Sequence, residues 1–406
     1  MKKILFTLFL FLLTSSMVVA VDDVFAEENL NLNNEVQKEE KEEIFEQPIL
    51  LEPEETAPKE EEQSQEEPKF KTMLKGIVEQ EYALNDISGL FKSYLTHNYE
   101  KGPLKNTTLQ MSNIMNWTEK FDKGDSDFTY DYNTINVGIK GQFRSEKESY
   151  NLLFDLTPDI HDNFWHRLVL DAFIQTKRIP HHTVQFGTFR PTVGIEGTQS
   201  PFLLQFANRT QIGRNFGNAR KTGLKISGDY KYVDYSLEGY SSDVRYSEFF
   251  PGVEGVAWIN FKPLANIEEK AGKLKIGGGI QAGDRNGVHY NVGQAAMQYD
   301  YKRFELRSEF AYADGSNGST GLSNKKRWGY NATIGYMITK KIQFLLRFDD
   351  FDNDRDVKHN NSREYTAGIN YFILGQKLKV ALNYVFCQNQ AKADSHKIIL
   401  MTQILL

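Results

Sequence analysis

The fold of this chain is decided by a pattern that is plainest in the stretch RWGYNATIGY, residues 327–336. Its large apolar side chains, such as Trp328 and Tyr330, alternate with small or polar ones, such as Asn331 and Thr333. Successive side chains of a β-strand point to opposite faces, so one face of this strand is apolar and the other is polar. The same alternation recurs from about residue 107 to Leu406. It predicts an all-β fold, a transmembrane antiparallel β-barrel.

About sixteen strands are predicted, an even number, as expected for a single-chain bacterial barrel. Each is about ten residues long and is bounded by turn residues. A barrel of this size encloses an aqueous lumen, so the polar faces of the strands are expected to line it. The predicted strands lie near residues 107–117, 128–143, 148–157, 163–176, 182–189, 218–229, 231–241, 253–263, 272–283, 288–301, 302–313, 327–338, 341–351, 363–374, 376–388 and 396–406.

The sequence before the barrel has a different character. Lys2 and Lys3 precede an apolar stretch and two small-residue exits, which is typical of a secretory signal peptide cleaved after Ala20 or Ala26. Glu, Gln and Pro then dominate, and such a composition stays disordered. Apolar residues next recur at helical spacing over 70–97 and predict a segment that either plugs the pore or lies in the periplasm. The predicted organisation is a signal peptide (1–26), a disordered acidic tether (27–69), a short helical segment (70–105) and the barrel (106–406).

Charge divides unevenly between these parts. The whole sequence has a formal net charge of −6. Residues 1–68 contain 18 acidic residues and five Lys, which leaves residues 69–406 with a net charge of +7. A solute meets local charge and not the chain average, so the barrel presents a basic surface to it. The one cysteine, Cys387, excludes an internal disulfide framework.

Two connections between predicted strands are long, at 190–217 and 242–252. The first is partly apolar and carries several Arg. Long ordered loops in compact folds are usually functional, so this one is predicted to fold into the lumen as a constriction loop. The short connections, for example at Gly375 and at Thr339–Lys340, are expected on the periplasmic side and the long ones outside the cell.

Basic residues recur on the polar face of the predicted strands and in the long connection. Arg and Lys in a pore favour anions, because the low-dielectric wall focuses their field, and Arg also holds an oxyanion by two parallel hydrogen bonds. The alternative is that these charges are solvated and paired across strands with acidic lumen residues. The predicted pore-lining, anion-binding set is Lys140, Arg144, Arg167, Arg190, Arg209, Arg214, Lys221, Lys225, Lys275, Arg307, Arg347 and Lys379.

Nothing in the sequence predicts catalysis. The eight His have no metal-ligand spacing, and no Ser–His–Asp arrangement stands out. The run Gly277–Gly279 lies within a strand pattern and does not open a helix, so it predicts no phosphate-binding loop. We therefore expect no enzyme activity, no cofactor, no metal site and no nucleic-acid partner.

Residues 184–196, VQFGTFRPTVGIE, resemble a segment of the phosphate-selective porins O and P that reads roughly G-x-F-K-x-P-F-G-x-E. The resemblance implies a sixteen-stranded trimeric porin with a basic lumen, selective for oxyanions and chiefly for phosphate. By position, Arg190 corresponds to the basic residue of the motif. Further similar stretches are Arg209, Arg214–Gly217, Thr222–Gly223, residues 365–371 and residues 382–385.

These observations predict an integral protein of the bacterial outer membrane that lets small hydrophilic solutes diffuse passively, with anions such as phosphate favoured. Its expected partners are outer-membrane lipid, small anionic solutes and two further copies in a homotrimer. Residues 27–97 could also contact the cell wall or a periplasmic protein. Two alternatives stay open, a structural barrel that tethers envelope layers and a sugar-selective channel. The second requires aromatic side chains on the wet face, for which Trp165, Phe173 and Phe351 are the candidates.

Overall fold

The computed structural model describes residues 95–122, 125–157, 168–244 and 248–406. The predicted signal peptide, the acidic tether and most of the predicted helical segment lie outside these residues. The helical prediction is wrong where it can be compared, because Thr96–Asn98 forms a strand and a second strand begins at Leu104. The backbone of Thr96–Asn98 pairs with Asn106–Thr108, and this pairing overrides the local helical pattern.

The described residues contain seventeen strands and three short helices. None of these helices is long and apolar enough to cross a membrane. The strands are β1 (Thr96–Asn98), β2 (Leu104–Asp122), β3 (Asp125–Phe143), β4 (Glu148–Asp155), β5 (Val169–Thr176), β6 (His182–Phe189), β7 (Lys221–Asp229), β8 (Val233–Ser241), β9 (Val253–Phe261), β10 (Lys273–Arg285), β11 (Val288–Tyr301), β12 (Phe304–Gly318), β13 (Gly321–Met337), β14 (Ile342–Asp352), β15 (Asn361–Phe372), β16 (Leu378–Asn389) and β17 (Ser395–Leu405). The helices are α1 (Ile195–Thr198), α2 (Gln211–Asn215) and α3 (Glu268–Ala271), and a 3₁₀ turn spans Pro201–Leu203.

Strands β2 to β17 form a closed antiparallel barrel of sixteen strands, which confirms the predicted fold. Each strand pairs with the next along the chain, and β17 closes the circle by pairing with β2. Strand β1 lies outside this count. It pairs with the same edge of β2 as β17 does, immediately beyond the point where Leu406 pairs with Met111.

The predicted alternation is confirmed, with polar side chains turned inward and apolar ones outward. On β13, Asn331 and Thr333 are each 1% exposed, whereas Ile334 and Tyr336 are 48% and 47% exposed. A water-soluble protein would bury the second pair and expose the first. An apolar exterior around a polar interior is what a barrel in a lipid bilayer requires.

The two ends of the barrel differ in their connections. We call the end at which β1 lies the turn end, because its connections include the tight turns at 230–232 and 302–303. The opposite end, the loop end, carries the longest connection, at 190–220, and also the connection at 242–252. The first of these is slightly longer than predicted, since β7 begins only at Lys221.

Candidate functional site

Residues 190–220 connect β6 to β7 and cross the lumen instead of projecting from the barrel. We call them the crossing loop. Their backbone contacts side chains on β12, β14, β16 and β17, which lie on the wall opposite β6 and β7. The inward folding predicted for this connection is therefore confirmed.

Local sequence explains how the crossing loop turns. Gly194 has a φ of 70°, a left-handed conformation that glycine adopts without strain, and it immediately precedes α1. Thr210 caps α2, because its hydroxyl accepts a hydrogen bond of 3.1 Å from the Gly213 amide. Gly197 of α1 lies close to Gly217, which follows the end of α2, and a Cβ atom on Gly217 would lie 3.0 Å from the carbonyl oxygen of Val193.

The start of the crossing loop is held by Glu238 of β8. The carboxylate accepts hydrogen bonds from the amide of Thr192, at 3.0 Å, and from its hydroxyl. Lys225 of β7 completes the group, with its ammonium 3.1 Å from Glu238 and 2.7 Å from the Thr192 hydroxyl. A buried carboxylate is thus paired with a cation and hydrogen-bonded, which offsets the cost of removing it from water.

Apolar side chains pack the middle of the crossing loop against the barrel. Phe206, Ile212 and Phe216 are each 1% exposed. The rings of Phe216 and Phe351 have centroids 5.6 Å apart, and the guanidinium of Arg347 lies 4.7 Å from the centre of the Phe206 ring. The lumen therefore contains an apolar core that is built around the crossing loop, although the strands turn polar side chains inward.

On the far wall, side chains of the barrel satisfy backbone groups of the loop. Such groups need partners, because a buried carbonyl or amide without one is costly. The four contacts run from Lys379 Nζ to the Leu204 carbonyl at 2.9 Å, from Gln403 Nε2 to the Phe202 carbonyl at 3.0 Å, from Asn370 Nδ2 to the Gln205 carbonyl at 2.8 Å, and from the Ala207 amide to Asn383 Oδ1 at 2.8 Å.

Two neighbouring residues of β14 hold the second half of the loop. Arg347 donates a hydrogen bond of 2.9 Å to the carbonyl of Asn208, and Asp349 accepts one of 2.9 Å from the amide of Gln211. Arg347 also lies 3.7 Å from Glu196 of α1. Arg347 and Asp349 thereby both fix the loop.

On the loop-end side of the crossing loop lies a cavity of about 520 Å³. We call it the arginine chamber, because Arg190, Arg209, Arg214 and Arg220 line it. Two of them have carboxylate partners, since Arg214 lies 2.8 Å from Glu364 and Arg220 lies 2.8 Å from Asp171.

The other two arginines have only weak compensation. Arg190 and Arg209 both donate to the carbonyl of Gln199, at 3.0 and 2.8 Å. Burial lowers the pKa of Arg209 to about 10, so the group stays charged at neutral pH. Burial and the nearby Arg220 and Arg209 also lower the pKa of Arg190. Among the described residues, Nε of Arg190 is buried and has no hydrogen-bond partner.

A second cavity, of about 390 Å³, lies on the turn-end side of the crossing loop. Lys275 and Arg307 line it together with Glu305, Glu309 and several amide side chains. Arg307 lies 2.7 Å from Asp300. Acidic residues outnumber basic ones on this side of the loop, whereas basic residues outnumber Asp155, Asp243 and Glu248 in the arginine chamber.

The remaining predicted site residues have varied surroundings. Lys140 lies on β3, and Arg167 falls outside the described residues. Arg144 lies in the turn after β3, where it donates to the carbonyls of Tyr99, Gly102 and Leu104. Lys221 and Lys379 are inward-facing but fully buried, and Lys221 is paired with Glu254. The structure thus brings Arg190, Arg209, Arg214 and Lys221 to one cavity, where the Lys221 side chain is buried.

Sequence reasoning left several contributors out of the predicted site. Arg220 lines the same chamber, and its position directly after the loop was the only signal for it. Glu196, Glu238 and Asp349 hold the loop in place. Nothing in the strand pattern distinguishes such an acid from one that is solvated in the lumen.

No protein-family model matches this chain, and no curated protein matches it. Solved structures do. The anion-selective porin from Comamonas acidovorans is 11% identical, with a TM-score of 0.55 over 74% of this chain and 99% of that one. The fold is that of an outer-membrane porin. The porin fold is also seen in the outer-membrane channel DcaP of Acinetobacter baumannii, 9% identical, with a TM-score of 0.55 over 76% of this chain and 99% of that one. OmpT of Vibrio cholerae, described as a trimer form, is 10% identical, with a TM-score of 0.52 over 74% and 99%.

Proposed function

We propose that this protein is an outer-membrane porin through which small hydrophilic solutes diffuse passively, with anions favoured. The observation that carries the proposal is the arginine chamber, in which Arg190, Arg209, Arg214 and Arg220 converge on one cavity beside the crossing loop. An anion that enters from the loop end meets these groups before any of the carboxylates on the turn-end side.

The charge arrangement supports passage rather than tight binding. Arg214 and Arg220 already have carboxylate partners, so an arriving anion adds to a compensated pair. Arg190 donates to the carbonyl of Gln199, and Arg209 donates to the carbonyls of Gln199 and Glu196. These acceptors are neutral, so both guanidinium groups leave more of their charge for a solute. Conduction requires sites that are favourable enough to enter and weak enough to leave, and this mixture meets both needs.

The test is the reversal potential of the purified full chain in a planar bilayer under a KCl gradient. We expect a potential of the sign given by chloride permeation. A potential of the opposite sign would contradict anion preference while leaving the porin proposal intact. Absence of any conductance would contradict both.

Phosphate is the anion that the resemblance at residues 184–196 points to, with Arg190 at the position of the basic motif residue. Arg190 and Arg209 lie close enough to share the Gln199 carbonyl, so two planar donors face one space. Such donors suit an oxyanion better than a halide. Added phosphate should therefore reduce the chloride current at a concentration at which added sulfonate buffer does not.

A homotrimer is proposed as the assembled form, with the OmpT likeness as its support. The mass of the detergent-solubilised protein, corrected for bound detergent, measures the number of chains. A monomeric mass in several mild detergents would contradict the trimer.

A structural barrel that tethers envelope layers is the second candidate. The observation in its favour is the packing of Phe206, Ile212 and Phe216, which fills part of the lumen. It predicts that the full chain does not conduct and that a chain without the crossing loop does. A sugar channel has less support, because Phe173 and Phe351 belong to a packed apolar cluster.

A further inference from the structure

The outer wall of the barrel carries a groove that is separate from the cavities of the lumen. It lies across β4, β5 and β6 at the turn end and has a volume of about 670 Å³. We call it the rim groove. Its floor is formed by Phe143, Ile174, Val184 and Phe186, and its end by Glu148 and Arg178.

The floor of the rim groove faces away from the lumen. Phe173 packs inward against Phe189, with ring centroids 5.9 Å apart, so the next residue, Ile174, points outward. Ile174 is 56% exposed, and Phe186, its partner across the strands, is 59% exposed. The groove is therefore an apolar surface on the side of the barrel that meets lipid.

The end of the groove is polar and fixed. Glu148 accepts a hydrogen bond of 3.1 Å from the hydroxyl of Thr176, and others from Ser145 and from Nε of Arg178. The Arg178 side chain is 67% exposed, so the guanidinium is oriented by Glu148 and still accessible. A guanidinium has five N–H donors, more than this single contact uses.

Positive charge predominates around this end. The turns at 144–147 and 177–181 contain Arg144, Lys147, Lys177 and Arg178, against Glu146. Glu146 is already neutralised by Lys105, at 2.7 Å. The surroundings of Arg178 therefore attract an anionic group.

The length of the strands brings this charge to the membrane boundary. β4, β5 and β6 have eight residues each, whereas β2 and β3 have 19. Eight residues extend over about 26 Å, and the tilt of barrel strands shortens their height further. The wall here is no taller than the apolar layer that it must cross, so its turns meet the lipid headgroups.

We propose that the rim groove binds one phospholipid of the periplasmic leaflet. Its phosphate accepts hydrogen bonds from Arg178, and an acyl chain lies along Ile174 and Phe186. The basic end of the groove suits the phosphate of such a lipid, and the apolar floor of the groove suits its acyl chain. The inference rests on insertion of the barrel in the outer membrane and not on what the lumen conducts.

Native mass spectrometry of the delipidated full chain, titrated with a phosphatidylglycerol, tests the proposal. We expect one lipid to bind the wild type with higher affinity than further lipids. Arg178→Gln should weaken this binding about fivefold, as expected for one basic residue at a lipid surface. Ile174→Trp should weaken it by filling the floor, without changing any charge.

Matched variants on another part of the barrel are the controls. Lys340→Gln removes one charge from an exposed turn at the same end, and Leu346→Trp enlarges a comparably exposed outward side chain. Both should bind as the wild type does, and heat-modified gel mobility checks that all four variants fold. Equal binding by all variants would overturn the proposal. A loss of self-association in Arg178→Gln with unchanged lipid binding would also overturn it, because the groove would then be a contact between copies of the chain.

Discussion

The ammonium group of Lys379, on β16, donates a hydrogen bond of 2.9 Å to the carbonyl oxygen of Leu204, in the crossing loop. Lys379 has no exposed surface. The Lys379 side chain points into the lumen, but it holds the crossing loop in place and does not contact solute. Some basic residues in this lumen hold the loop, as Lys379 does, and others line the arginine chamber, as Arg190 does.

This division predicts different effects of removing one positive charge. Arg190→Gln should lower the anion-to-cation permeability ratio by about two- to fivefold, because Arg190 lines the chamber at close range. Lys379→Met should leave the ratio unchanged and increase current noise, because the loop loses one attachment. Reversal potentials and open-channel noise of the two variants measure these effects. A larger loss of selectivity in Lys379→Met than in Arg190→Gln would contradict the division.

Lys221 and Glu254 form a buried ion pair. We expect removal of one partner to lower the free energy of unfolding more than removal of both. Lys221→Met leaves Glu254 buried with the neutral partners Gln281 and Tyr290, at 2.9 and 2.6 Å. We expect it to lower the free energy of unfolding by about 3 kcal/mol, and Lys221→Met with Glu254→Gln to restore part of the loss. Urea unfolding in micelles, followed by tryptophan fluorescence, measures this.

An exposed pair supplies the control for that measurement. Lys105 and Glu146 lie 2.7 Å apart, and their side chains are 42% and 64% exposed. Lys105→Met should change stability very little, since solvent screens such pairs. Equal losses of unfolding free energy in Lys105→Met and Lys221→Met would show that burial does not decide how much an ion pair contributes to stability.

The close approach of Gly197 and Gly217 predicts that a side chain at Gly217 destabilises the crossing loop. Gly217→Ala places a methyl group 3.0 Å from the Val193 carbonyl oxygen and even closer to Gly197, so it should destabilise the loop by about 1–3 kcal/mol. Gly239→Ala is the control, because its methyl group would have no atom within 4 Å. Protease sensitivity of the loop and conductance should rise in the first variant only.

Excision of residues 195–216, with a short Gly-Ser bridge in their place, should leave the barrel intact. The pairing of β2 to β17 does not use these residues. Conductance should increase severalfold and anion preference should fall, because Arg209 and Arg214 leave with the loop. An unchanged conductance would mean that the crossing loop does not limit the current.

The barrel could be predicted from the sequence because its signal is local. Alternation with a period of two needs only neighbouring residues, as at Tyr330 and Asn331, and strands so patterned can hide their polar edges from lipid only by closing. The two long connections were also visible as interruptions of that pattern.

The roles of individual charges could not be predicted in the same way. Whether Lys379 is solvated or covered depends on where Leu204 lies, and these residues are 175 positions apart in the chain. The strand at Thr96–Asn98 was missed for a similar reason, since it exists through its pairing with β2 and not through its own pattern. Contacts of high sequence separation decide both features.

Strand β1 has a consequence for the width of the barrel. It occupies the edge of β2 at Asn106–Thr108, directly beyond the place where Leu406 pairs with Met111. Strand β17 therefore cannot slide further along β2 in that direction without displacing β1. The stagger between first and last strands sets the shear of a closed barrel, and shear sets its diameter. Three residues outside the sixteen-stranded wall thus limit, in one direction, the stagger on which the diameter of the barrel depends.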